Sequence, residues 1–88
     1  MMNGKTLIVK NFAEQDCALS GAQAKKLISS FDEDCVTTLD FSGIEYIDTE
    51  VARELFVTCV KENPKIVLNV VRANEAVELA INQVIKVS

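Results

Sequence analysis

Asp48, Thr49 and Glu50 are the residues whose types and spacing come nearest to chemistry. Two carboxylates so close could serve as general acid and base if a dry cleft held them. The hydroxyl between them could accept a phosphoryl group. The same three residues also make an ordinary helix start. Asp48 or Thr49 fits the N-cap, and Glu50 falls in the first turn, where a negative charge gains about 0.3–1 kcal/mol. Nothing elsewhere completes a catalytic set: the chain has no histidine, and neither a Gly-rich phosphate loop nor a base beside a nucleophile. An enzyme is not expected.

Cys17, Cys35 and Cys59 read as free thiols rather than a disulfide framework. Cys35 and Cys59 lie in apolar segments, where a thiol behaves as a small hydrophobe. Cys17 lies in a polar stretch and is the one candidate for reactivity. Without histidine or a close cysteine pair, no zinc site is expected. The run Asp32-Glu33-Asp34 reads as a solvated turn, because adjacent side chains point apart. No metal and no cofactor is expected.

These residues are positioned by one small domain, residues 1–88. About half the residues are apolar, enough to fold. A formal charge of −4 opposes nucleic-acid binding, which rests on Lys and Arg at phosphates. The absence of a secretory h-region at Met1–Lys5 and of a membrane-length apolar run points to a cytoplasmic protein with no membrane partner.

Thr6–Val9 is the first predicted strand, and residues 10–18 read as loop. Ser20 and Gln23 form a capping box ahead of a helix whose Ala24, Leu27, Ile28 and Phe31 share one face. That helix should stop by about Phe31, since the acids just beyond it oppose its C-terminal dipole. Cys35–Phe41 is the second strand, apolar enough to be covered on both faces. Ser42-Gly43 breaks it. From Val51 the apolar positions 51, 52, 55, 56, 59 and 60 form a packed helix, ended by Asn63-Pro64. Ile66–Val71 is the third strand. Asn74 then caps a helix with Val77, Ala80, Ile81 and Val84 inward. The tail 84–87 fits either this helix or a short closing strand. The fold class is therefore α/β: a single two-layer or sandwiched domain, mostly parallel, in the order β-α-β-α-β-α. In such sheets ligands sit beyond the carboxyl ends of the strands. On a regular helical wheel Glu50, Arg53 and Val57 fall opposite the apolar stripes, with Lys61 nearby. Val57 should then be exposed at the centre of a small partner patch, with Glu50 and Arg53 paired at i, i+3.

The segment Leu39-Asp-Phe-Ser-Gly-Ile-Glu-Tyr-Ile-Asp-Thr-Glu50 resembles the signature of STAS domains, the fold of sulfate-transporter tails and bacterial anti-sigma factor antagonists. The continuations Val51–Phe56 and Lys65–Val70 are more similar to the compact STAS-like family of unknown function. The resemblance spans roughly Leu19 to Val84. It implies a non-enzymatic signalling module that binds a kinase-like ATPase or an anti-sigma factor and is released by phosphorylation at the helix start. Asp48 matches the family aspartate, Thr49 the first hydroxyl residue and Glu50 the phosphoacceptor serine. Glu50 cannot be phosphorylated. It either mimics the phosphorylated state, or Thr49 is the phosphorylation site, or the site binds without regulation.

The leading expectation is thus a regulatory protein–protein interaction module, docking through Ser42, Gly43, Asp48, Thr49, Glu50, Arg53 and Val57. The alternative is a small-anion or nucleotide sensor using amides at the helix N-terminus, opposed by the charges of Asp48 and Glu50. A monomer or a weak homodimer through an edge strand is expected.

Overall fold

A computed structural model of the chain describes residues 3–13 and 17–87. Strand β1 (Asn3–Ile8) leads directly into a short helix α1 (Val9–Ala13). This corrects the loop expected from residue 10. Val9, Phe12 and Ala13 stand at i, i+3 and i+4, and all three pack toward the core. Part of that expected loop, residues 14–16, lies outside the described residues, as do Met1 and Met2 of the N-terminal stretch. A two-residue strand β2 (Ala18–Leu19) precedes helix α2 (Gly21–Ser29).

The capping box forms as the sequence predicts: Ser20 Oγ accepts from the Gln23 amide at 3.2 Å, and Gln23 Oε1 from the Ser20 amide at 2.9 Å. Gln23 Nε2 also donates to the Ala13 carbonyl at 3.3 Å, which ties α2 to the end of α1. The Lys5 ammonium donates to the Ser30 carbonyl and fastens the other end of α2 to the sheet.

Strand β3 (Cys35–Asp40) is central. After it come a two-residue strand β4 (Tyr46–Ile47), paired in parallel with β2, and a long helix in three stretches. These are α3 (Thr49–Arg53), a π-helical turn (Glu54–Thr58) and α4 (Cys59–Glu62). Asn63 leaves helical geometry ahead of Pro64, as the sequence requires. Strand β5 (Val67–Val71) and helix α5 (Glu75–Val87) complete the described chain. The tail is helical, not a strand.

The main sheet is all parallel, in the order β1-β3-β5. Both crossovers step in the same direction across it. Right-handed crossovers taken in one direction place their helices on one face. The core agrees. The in-register row Leu7, Leu39 and Val70 packs beneath Leu27, Leu55, Val77 and Ile81 from the helices. The opposite row of Thr6, Thr38 and Asn69 is exposed or half-exposed. Among the described residues the domain is two-layered, and β3 is not covered on both faces. Its apolar sequence reflects a central position in the sheet rather than a second helical layer.

Candidate functional site

The loop after β3 is built by a tight turn. Ile44 N–H donates to the Phe41 carbonyl at 3.0 Å, and Gly43 has φ +84°. That is the type II pattern, in which a side chain at the third position would be strained. The Lys10 side chain lies over this glycine, 3.6 Å from where a Cβ would stand.

Below the turn Asp40 is buried at 3% exposure. Its Oδ1 accepts from the Ser42 amide at 2.9 Å, and its Oδ2 accepts from Arg72 Nη1 at 2.8 Å. Arg72 has φ +56°, a conformation unusual for a side chain of this size. The Phe41 amide bonds the Val71 carbonyl at 3.1 Å alongside. The ends of β3 and β5 are therefore locked together by a buried carboxylate with two donors. Sequence reading missed this pair. An aspartate inside an otherwise apolar strand was the available signal, but nothing local announces its partner 32 residues away.

Asn74 caps α5 as expected, its Oδ1 accepting from the Val77 amide at 2.9 Å. Its side-chain nitrogen does more. It donates to the Ile44 carbonyl at 3.2 Å and the Glu45 carbonyl at 2.9 Å. The Glu45 amide in turn donates to the Cys17 carbonyl at 2.7 Å. Residues 44–47 are thus held from both sides, by α5 and by β2.

Asp48 is the N-cap of the long helix, and its carboxylate makes no capping bond. Asp48, Thr49, Glu50 and Arg53 are all exposed, and Glu50 and Arg53 form no ion pair among the described residues. Two shallow grooves flank this helix start. One, of about 340 Å³, runs past Ser20, Tyr46 and Asp48, and the other, of about 390 Å³, past Thr49, Arg53, Gln83 and Lys86. Tyr46 is 54% exposed on the strand just before the helix.

The predicted site residues therefore fall into two groups. Ser42 and Gly43 belong with Asp40 and Arg72 at the ends of the strands. Asp48 lines one groove with Tyr46, Thr49 and Arg53 line the other, and Glu50 is exposed beside them in sequence. Val57 belongs to neither. It is 9% exposed and part of the core. Val57 lies inside a π turn, where the Cys59 amide bonds the Glu54 carbonyl, an i to i+5 closure. A wheel of constant rotation, about 100° per residue, does not hold through such a turn, and this stretch of the helix packs against α5. Val57 is buried, and the exposed valine expected at the centre of a patch does not exist.

A crevice at a switch in strand order has no counterpart here either, because the strand order never reverses. Among the described residues no group of three or more His, Cys, Asp or Glu is placed to hold a metal ion, and no helix is long and apolar enough to cross a membrane. Burial pushes the Cys59 thiol above its ordinary value of 9.0, with Glu62 and Glu54 adding to the shift. No family model matches the chain, and no curated protein or solved structure matches it either.

Proposed function

We propose that this protein is a non-enzymatic regulatory interaction module of the STAS-like kind, acting in the cytoplasm and docking a protein partner through Tyr46, Asp48, Thr49, Glu50 and Arg53. The observation that carries this is a rigidly held aromatic on an acidic surface. Tyr46 is more than half exposed and shares a groove with Asp48, and Glu45 and Glu50, close by in sequence, are exposed as well. Its segment is fixed by the two Asn74 bonds and by pairing with β2.

Aromatic anchors contribute disproportionately to binding, and a pre-ordered loop avoids the entropy cost of ordering on association. Three exposed carboxylates favour a partner with a basic surface, such as that of a kinase-like ATPase or anti-sigma factor. The same carboxylates oppose anion or nucleotide sensing at this helix start. Glu50 in place of the serine makes the docking constitutive, with Thr49 the hydroxyl left at the site.

Affinity capture from the native host should compare wild type with Tyr46→Ala and Glu50→Lys, with melting temperatures measured in parallel. The expected result is a protein retained by wild type and lost from both variants at unchanged melting temperature. Retention of the same proteins by all three forms overturns the assignment.

A further inference from the structure

The backbone beneath Tyr46 lies outside the main sheet. Strand β4 pairs with β2, two residues against two, and a ladder this short is marginal by itself. Ile44 and Ile47 sink their side chains into the core, at 3% and 5% exposure. Between them Glu45 and Tyr46 are exposed, so the backbone of these two residues depends on polar contacts.

One carboxamide supplies two of those contacts. Asn74 Nδ2 donates to the Ile44 carbonyl at 3.2 Å and to the Glu45 carbonyl at 2.9 Å, while Oδ1 accepts from the Val77 amide at 2.9 Å. The partners fix the orientation of the group, because the reverse would set an oxygen against two carbonyl oxygens. A cap alone does not call for asparagine, since aspartate and serine cap about as well. Ionised aspartate has no donor, however, and serine has one donor on a shorter arm. The two carbonyls explain the choice. The strand ends in turn set where Asn74 stands. Arg72, bound to Asp40, takes φ +56° just after β5, and Asn74 follows two residues on.

We propose that Asn74 is a positioning residue that couples the Glu45–Tyr46 backbone to the first turn of α5. The Tyr46 surface is ordered while that turn is wound and is released when it frays. The physical reason is that one small planar group holds both sides. Its oxygen and its nitrogen cannot both keep their partners if either side moves. Helix ends fray more readily than their middles, and a coupling of this kind is reciprocal, so order on one side favours order on the other. Its use in docking rests on Tyr46 acting as the anchor. A surface ordered for only a fraction of the time binds with its affinity reduced by that fraction. The coupling itself needs no partner and is measured without one.

Amide hydrogen exchange followed by NMR tests it, with Asn74→Asp, Asn74→Ser and Asn74→Ala. The Val77 amide reports the cap. The Glu45 amide, bonded to the Cys17 carbonyl at 2.7 Å, reports the segment. The Ser42 amide on Asp40 Oδ1 is the reference. Asn74→Asp and Asn74→Ser should speed Glu45 exchange about ten-fold and leave Val77 and Ser42 unchanged. Asn74→Ala should speed both Glu45 and Val77. Ala76→Gly, an exposed change that loosens the first turn of α5, should speed Glu45 when Asn74 is present and add nothing in Asn74→Asp. Tyr46 is the one tyrosine in a chain without tryptophan, so fluorescence anisotropy should show its faster motion in the same variants. Glu45 exchange that rises no more than that of Ser42 in both Asn74→Asp and Asn74→Ser overturns the proposal. So does an Ala76→Gly effect equal in the two backgrounds. If the exchange results hold and Asn74→Asp still captures a partner as wild type does, the docking role of Tyr46 fails and the coupling stands.

Discussion

Thr37 lies on the covered face of β3 with no exposure, and its hydroxyl finds no hydrogen-bond partner. A buried hydroxyl left unpaired costs about 1–3 kcal/mol, while valine has the same shape without that cost. Thr37→Val should raise the unfolding free energy by about 1 kcal/mol, seen as a higher denaturant midpoint at unchanged slope. Cys59 gives a pH prediction with a definite sign. Its folded value is raised, so the fold favours the neutral thiol. That contribution is fully present below the ordinary thiol value of 9.0 and is lost as pH rises through the folded value. Stability should fall above about pH 9, and the fall should be shallower in Cys59→Ala. Both predictions rest on burial. The apolar settings of Cys35 and Cys59 in the sequence already pointed to buried thiols, whereas Thr37 and Thr38 look alike until the strand's two faces are distinguished.

The long helix carries the most instructive difference at the scale of elements. Its apolar positions Val51, Ala52, Leu55 and Cys59 are buried as their spacing predicts. Val57 is buried too, inside the π turn at Glu54–Thr58, in a stretch that packs against α5. Val57→Ala should therefore cost about 1.5–3 kcal/mol, and Val57→Asp more, measured by denaturant unfolding. An exposed Val57 would have tolerated either change. The sequence periodicity was correct for the apolar stripe through Cys59 and misled at Val57, since a wheel assumes one constant rotation per residue and one covered side. The small elements were hidden for another reason. Helix α1 and the β2–β4 pair are five residues or fewer each, too short for periodicity to reveal them. Contact with distant segments stabilises them instead.

For the whole molecule, the radius of gyration is 12.0 Å, matching about 12 Å for a compact chain of this length. Among the described residues one helical layer covers one face of the parallel sheet, and the other face carries the Asp40–Arg72 pair among mostly uncharged residues.

The sequence by itself determined the types of the longer elements, because local chemistry sets them. The Ser20–Gln23 capping box, the stop at Asn63-Pro64, the Asn74 cap and the apolar spacing of α2 and α5 are all decided within a few residues. It also placed Asp48 at a helix start and exposed Thr49, Glu50 and Arg53. Only the tertiary structure decided which sheet face is covered, since that depends on both crossovers running the same way. It alone paired Asp40 with Arg72, tied Asn74 to the loop beneath Tyr46, and turned Val57 inward. Each of these is a relation between segments distant in sequence, or a change in helix geometry that packing stabilises, and neither is encoded in the spacing of neighbouring residues.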